Sequence, residues 1–251
     1  MKPLLIALQF LTILPIRISE IKERDFGASL LYFPIVGLGI GLVLSLSVFL
    51  LSSLPVLIKS AIILTVSTII TGGIHLDGLA DTCDGFYGNK SKEEILEIMR
   101  DSRIGVMAVV GLVTLLLLKF SLIASLSNEI LWKALIVMAV FSRWTQCLAC
   151  SNSAYARKEG KAKYFIEYAS KRDVFIGGLF SLALFVLLMQ IKGIILFLVS
   201  APVIFLFLQY IKKKIGGMTG DTIGAASEVA EVLILLFFMV YQESIKHFPN
   251  H

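Results

Sequence analysis

The sequence predicts an all-α integral membrane protein: a polytopic bundle of about seven transmembrane helices with an N-terminal interfacial or re-entrant helix. Hydrophobic residues make up 57% of the 251 residues, above the ~45 to 50% of soluble domains. Apolar runs near the ~20 residues that a span needs recur along the chain. We expect a single membrane-embedded catalytic domain over residues 1–251, with the lipid bilayer as its surroundings.

Residues 1–33 form the N-terminal interfacial segment of this prediction. An apolar run follows Lys2, but it covers only about 13 residues and closes at Pro15. It is too short for a span, and no small-residue cleavage site typical of a signal peptide follows it. We therefore expect a short helix that lies in the interface or re-enters the membrane.

Seven further apolar runs are interpreted as spans. The last covers only about 14 residues, so it reaches spanning length only if it extends back over Glu228. The predicted spans lie near residues 34–54, 55–73, 104–126, 131–150, 174–190, 193–211 and 229–242.

The basic residues divide unequally between the two sides of such a bundle. If the spans alternate, 17 of the 23 Lys and Arg residues fall on the side that holds the N-terminus. Basic loops favour the cytoplasm, so we predict a multi-pass protein of the cell (cytoplasmic) membrane with its active site facing the cytoplasm. The net charge of +5 forms no clustered basic stripe, which argues against nucleic-acid binding.

Three aspartates mark the predicted site. The segment GGIHLDGLADTCDGF places Asp77, Asp81 and Asp84 at i, i+4 and i+7, on one face of a helix. Like charges ~4 Å apart cost about 4 kcal/mol at an effective dielectric of 20, and a bound cation removes that cost. Oxygen ligands suit Mg²⁺, or Mn²⁺ in its place. We predict that these residues are catalytic and bind metal in a phosphoryl transfer; a solvated acidic turn is the alternative.

Other residues near the stripe extend the prediction. His75 is either a structural hydrogen-bonding residue or a proton carrier, and we include it among the substrate-binding candidates. Glycines around the stripe are expected to let a diphosphate approach the backbone. They are Gly72, Gly73, Gly78 and Gly85.

Two further segments supply candidates on the same side. Asp101 could add a metal ligand and Arg103 could hold a phosphate, although interface anchoring is the alternative. Arg143 lies inside the fourth predicted span, where it costs up to ~3 kcal/mol, so we expect it to pair with an acid or a phosphate. Tyr155 and Arg157, in the basic loop that follows, are also substrate-binding candidates.

The last loop is rich in glycine and contains Asp221, with Glu228 seven residues later. A glycine-rich turn at the mouth of a helix suits phosphate contact, and its acid could reach a metal. We predict that both acids bind substrate, with a flexible connector carrying solvated acids as the alternative. The spacing is not that of a P-loop, so the loop does not imply NTPase activity.

Taken together, these segments closely resemble the cobalamin synthase family, the adenosylcobinamide-GDP ribazoletransferases. The resemblance implies Mg²⁺-dependent transfer of the phosphocobinamide group from adenosylcobinamide-GDP, a corrinoid nucleotide, to α-ribazole or its 5′-phosphate, with release of GMP. It also allows association with other cobalamin-assembly enzymes or a homo-oligomer. One position departs from the pattern, since the family opening usually reads like FLTRLPVP and Ile13 stands at the arginine. The matching segments are ALQFLTILPI, YFPIVGLGIG, GGIHLDGLADTCDGF, IMRDSRIG, SRW, YARKEG and GGMTGDTIGAASEVAE.

Two other functions stay open on the residues. The CDP-alcohol phosphotransferases of lipid synthesis read D-x-x-D-G-x-x-A-R and then G-x-x-x-D-x-x-x-D. Asp81, Asp84 and Gly85 fit the opening, but Gly88 and Asn89 stand where A-R should be, and the second half is absent. A divalent-cation transporter would also explain acids in a membrane protein, although transport sites tend to lie near the bilayer midplane.

Overall fold

The computed structural model describes residues 1–247 and confirms the all-α class. Among these residues there is no strand, only one isolated parallel bridge between Tyr155 and Met218. The helices are α1 (Lys2–Leu11), α2 (Glu23–Ser29), α3 (Phe33–Leu50), α4 (Val56–Thr71), α5 (Ile74–Phe86), α6 (Lys92–Ile98), α7 (Val106–Ser125), α8 (Asn128–Ser151), α9 (Lys163–Glu167), α10 (Lys171–Met189), α11 (Ile191–Ile215) and α12 (Gly220–His247).

Six helices in the described part of the chain are long and apolar enough to cross a bilayer. They comprise α7, α8, α10, α11, most of α12, and the continuous stretch Glu23–Leu50 that joins α2 to α3. Helices α4 and α5 qualify only as a pair, and the pair is bent by 90°. The prediction of about seven spans is therefore confirmed as six, or seven with the bent pair.

Two glycines make the bend between α4 and α5. Gly72 and Gly73 have φ values of +63° and +68°, in the left-handed region that glycine enters without the Cβ penalty. Gly78 serves a different purpose, because a Cβ there would lie 2.6 Å from the backbone oxygen of Asp221. Gly78 therefore packs α5 against α12, while the expectation that the glycines around the stripe let a diphosphate approach the backbone stays a prediction.

The two ends of the chain differ from the predicted boundaries. The last span begins at Gly220, not near 229, so it contains Glu228 inside an apolar helix. At the other end, α1 stops at Leu11, before Pro15, and buries Ile6 and Leu11 in the core. The N-terminal helix therefore packs against the bundle through these residues.

Helix α8 is the centre of the bundle. Of its most apolar 18-residue window, 89% is buried, against 22% for α11. It packs against both α3 and α12, while α5 contacts α7 and α12 through Leu79, Leu115 and Ala225. This arrangement brings Asp77 of α5 and Asp221 of α12 to one end of the bundle.

Candidate active site

A cavity of about 290 Å³ lies where α5, the end of α8, the loop after α8 and the start of α12 meet. Five of the residues predicted from the sequence line it: His75, Asp77, Tyr155, Arg157 and Asp221. The cavity therefore joins three segments that are far apart in the chain.

Backbone pairing holds the loop after α8 in place. The Ala156 amide donates to the Met218 carbonyl oxygen at 2.9 Å, and the Met218 amide donates to the Ala154 carbonyl oxygen at 2.9 Å. This short bridge brings the Arg157 guanidinium to the Asp221 carboxylate, with Nη1 2.8 Å from Oδ2.

Arg157 is held at two of its donors and free at a third. Besides the Asp221 pair, its Nη2 donates to the Met99 carbonyl oxygen at 3.1 Å. Its Nε is buried and has no hydrogen-bond partner in the structure. A buried donor without a partner is uncommon in proteins, so this N–H is a natural contact for a ligand oxygen in the cavity.

Two threonines start α12 at the cavity. The Thr222 amide donates to the Thr219 hydroxyl at 3.2 Å, and the Thr219 amide donates to the Thr222 hydroxyl at 2.9 Å. This reciprocal cap fixes Asp221 in the first turn of α12. The N-terminus of a helix also favours negative charge, which suits phosphate oxygens in this place.

The acids that face the cavity region have few protein partners. Within residues 1–247, no hydrogen bond or ion pair engages the carboxylate of Asp77 or Asp81. Asp81 interacts electrostatically with the carboxylates of Asp221, Asp77 and Asp84, and with a single cation, Arg157. The described residues contain no preformed group of three or more His, Cys, Asp or Glu ligands for a metal. Any metal here would therefore need oxygens from water or substrate, as Mg²⁺ commonly has.

Asp84 lies outside the cavity lining and caps a helix. Its Oδ2 accepts the Gly105 amide at 2.7 Å and its Oδ1 accepts the Ala108 amide at 2.8 Å. Both oxygens therefore serve the exposed amides at the start of α7, where a carboxylate is favourable. The structure does not bring Asp84 to the same cavity as Asp77, and its catalytic and metal-binding roles stay predictions.

Asp101 and Arg103 pair with each other at the surface. Arg103 Nη2 lies 2.5 Å from Asp101 Oδ2. The hydrogen bonds from Arg103 lower the pKa of the Asp101 carboxyl to about 2. Neither side chain lines the cavity, so this structure gives no support to Asp101 as a metal ligand or to Arg103 as a phosphate ligand.

Arg143 and Glu228 belong to a buried charge network among α7, α8 and α12. Lys119 Nζ lies 2.5 Å from Glu228 and 2.6 Å from Glu231, and Arg143 Nη1 lies 3.0 Å from Glu231. The expectation that Arg143 pairs with an acid inside the bundle is confirmed. Neither Arg143 nor Glu228 lines the cavity, because each is used by an opposite charge within the helices.

The cavity also has residues that the sequence did not single out. Gln146 and Lys161 line it, and so do three aromatic side chains: Phe10, Phe33 and Phe165. Phenylalanines in apolar helices carry no sequence signal for a site, because the same pattern describes a core. A polar Gln146 in a buried helix was the one available hint.

Comparison with known proteins agrees with the resemblance along the chain. The family model of cobalamin-5-phosphate synthase matches residues 3–239. An adenosylcobinamide-GDP ribazoletransferase of Clostridium novyi is 36% identical over 96% of this chain and 98% of its own length. Those of Acetivibrio thermocellus and Caldanaerobacter subterraneus subsp. tengcongensis are 34% and 37% identical, each over 96% of this chain and over 99% and 98% of their own lengths. No solved structure matches. The chain therefore belongs to the cobalamin-5-phosphate synthase family.

Proposed function

We propose that this chain is an adenosylcobinamide-GDP ribazoletransferase that acts at the cavity between α5, α8 and α12. It transfers the phosphocobinamide group of adenosylcobinamide-GDP to α-ribazole or its 5′-phosphate and releases GMP. The observation that carries the proposal is the convergence of Asp77, Arg157 and Asp221 on one cavity, in a chain whose relatives bear this enzyme's name over nearly their whole length.

The chain is a multi-pass membrane protein, and the proposal places its cavity at the cytoplasmic face of the cytoplasmic membrane. The loops that contribute Arg157 and Lys161 are among the basic ones, and basic loops tend to stay in the cytoplasm. Phosphorylated corrinoid and nucleoside substrates would then reach the site from the compartment where they are made, without crossing the bilayer.

The reaction breaks a phosphoanhydride bond and forms a phosphate ester bond. A ribazole hydroxyl oxygen attacks the phosphorus attached to cobinamide, a new P–O bond forms, and the P–O bond to GMP breaks. The hydroxyl proton moves to a carboxylate, for which Asp81 is the candidate because no protein donor occupies it and it is not one of the two carboxylates assigned to the metal. Arg157, through its unpartnered Nε–H, holds a phosphate oxygen while charge shifts toward the leaving GMP.

Magnesium fits this donor set as a proposal. Asp77, Asp81 and Asp221 offer only oxygen atoms and repel one another, and Mg²⁺ usually takes one or two carboxylates together with substrate phosphates and water. When bound, the ion supplies positive charge against the phosphate oxygens. Asp221 is already oriented by Arg157, so we expect Asp77 and Asp221 to be the primary ligands and Asp81 to support them.

The test uses the full chain purified in detergent or in liposomes. With adenosylcobinamide-GDP, α-ribazole and Mg²⁺, we expect a cobalamin product and an equal amount of GMP. A chelator should abolish both, and Mn²⁺ should restore them. Lack of product with both substrates and Mg²⁺ would refute the proposal. Release of CMP from a CDP-alcohol, or metal flux into empty liposomes, would support the two other functions instead.

A variant tests the role of the cavity acids. We expect Asp77→Asn to reduce kcat by about 10²- to 10³-fold, the usual effect of losing one electrostatic group in an active site. Asp101→Asn is the matched control, because Asp101 is an exposed aspartate outside the cavity. Full activity in Asp77→Asn, or an equal loss in Asp101→Asn, would contradict the assignment.

A further inference from the structure

One end of the cavity is aromatic and apolar. The rings of Phe10 and Phe165 lie 4.5 Å apart between centroids, and Phe33 lies 6.0 Å from Phe10 and 5.7 Å from Phe165. All three line the cavity. Stacking of a nucleoside base on an aromatic side chain is worth about 1–3 kcal/mol per base. Phe33 and Phe165 are only 1% and 2% exposed, whereas Phe10 is partly exposed. Phe10, backed by the other two rings, therefore presents the surface that suits a flat, largely apolar ring system.

Two buried polar side chains face the same space and are incompletely bonded. His75 is 4% exposed and Gln146 is 1% exposed, and both line the cavity. Their Nε2 atoms lie 2.8 Å apart. Because the amide nitrogen of Gln146 can only donate, the imidazole Nε2 accepts, and the imidazole proton is assigned to Nδ1.

This assignment leaves one donor and one acceptor unused. The Nδ1 of His75 and the Oε1 of Gln146 are both buried without a hydrogen-bond partner. An unpaired buried polar group costs about 1–3 kcal/mol, so a ligand that supplies one acceptor and one hydroxyl donor would remove two such costs. The pair is thus a site built for a ligand with few polar atoms.

The corrin, guanine and ribazole parts of the two substrates differ in how well they fit this cavity. The cavity, at about 290 Å³, lies at the small end of the range for ligand pockets, which suits a nucleoside better than the corrin macrocycle. Guanine presents N7, O6 and a 2-amino group, and the phenylalanine wall would leave part of these unpaired. A benzimidazole joined to ribose through one ring nitrogen keeps a single acceptor nitrogen, and its ribose supplies hydroxyl donors.

We infer that this cavity is the α-ribazole subsite, in which Phe10, Phe33 and Phe165 hold the benzimidazole ring, His75 donates to its free nitrogen and Gln146 accepts a ribose hydroxyl. The inference rests on the proposed function and adds which substrate the cavity takes. It also explains why the aromatic end and Asp77 share one space, since a ribazole seated there keeps its ribose near the carboxylates.

Binding to the purified full chain, without adenosylcobinamide-GDP, tests the subsite directly. The probes are α-ribazole and the α-linked indole riboside, in which a carbon replaces the acceptor nitrogen. We expect the parent to bind α-ribazole about tenfold more tightly, the worth of one buried hydrogen bond. His75→Phe lacks this donor, so its dissociation constants for the two ribosides should agree within about twofold. Equal binding by the parent, or a tenfold preference that survives in His75→Phe, would overturn the inference.

The variant Gln146→Met provides a second test of the subsite. It should weaken both ribosides and raise the KM for α-ribazole without changing the KM for adenosylcobinamide-GDP. Gln242→Met is the matched control, a buried glutamine bonded to Ser125 and Ser127; it should leave the riboside preference unchanged. A KM change on the corrinoid substrate alone would contradict the subsite. Failure of the proposed function looks different, because it would remove GMP release whether or not α-ribazole binds.

Discussion

Removal of Lys119 should destabilise the protein strongly, because this side chain balances two buried carboxylates. Lys119 contacts Glu228 at 2.5 Å and Glu231 at 2.6 Å, whereas Arg143 reaches only Glu231, at 3.0 Å. The four charges cancel in the parent. Lys119→Met leaves one excess negative charge and takes from Glu228 its ion-pair partner.

Breaking a buried ion pair on one side typically costs about 3–5 kcal/mol. For a chain of this size, 1 kcal/mol corresponds to about 2–4 °C in Tm, so Lys119→Met should lower the Tm by about 6 to 20 °C. The measurement is thermal unfolding of the purified protein in one detergent. Lys213→Met, an exposed lysine at the end of α11, is the control and should change the free energy of unfolding by less than about 0.5 kcal/mol.

The double variant Lys119→Met with Glu228→Gln tests whether the unbalanced charge causes the destabilisation. It removes one charge of each sign, so Arg143 and Glu231 remain as a balanced pair. We expect it to regain more than half of the stability lost in Lys119→Met, as removal of both partners is less costly than removal of one. Our reasoning would be refuted if Lys119→Met unfolded within 1 °C of the parent, or if the double variant were no more stable than the single one.

Three more outcomes follow from the same contacts. Asp84→Asn replaces one of the two accepting oxygens with an amide nitrogen, which cannot accept a hydrogen bond. It should therefore cost about 1–2 kcal/mol of unfolding free energy and speed hydrogen exchange of the first amides of α7. Unchanged exchange would argue against a capping role. Gly78→Ala should cost about 1–3 kcal/mol of unfolding free energy because its Cβ would clash with the Asp221 backbone. Gly39→Ala, in open space, should be neutral or stabilising when measured by thermal unfolding. Asp81→Asn should raise the Tm in the absence of metal by removing repulsion, while transferase activity falls; a lower Tm would contradict the repulsion.

Much of the fold was predictable because a helix that crosses the bilayer needs about 20 mostly apolar residues. Apolar runs and basic loops gave the spans and their number. The bend between α4 and α5 was not predicted, since Gly72 and Gly73 read equally well as a flexible turn or a ligand contact. Their left-handed φ values are a property of the packed chain, not of residue type.

The candidate site was predictable in part for a related reason. Helical spacing placed Asp77, Asp81 and Asp84 on one side of α5, but spacing does not say which neighbour each side chain meets. The start of α7 took Asp84. Likewise, Glu228 shares α12 with Asp221 but contacts a lysine on another helix, Lys119, instead of the cavity.

The acids of this protein divide according to whether the protein itself satisfies them. Glu228 and Glu231 are balanced by buried cations, and Asp84 is bonded by two backbone amides. Within residues 1–247, no comparable partner engages Asp77 or Asp81. Asp77 is exposed and lines the cavity, whereas Asp81 is partly buried outside the cavity lining. Ionisable residues that a membrane protein leaves without a protein partner often serve function. The unsatisfied acids, not the larger acidic stripe, therefore mark where metal and phosphate are expected to bind.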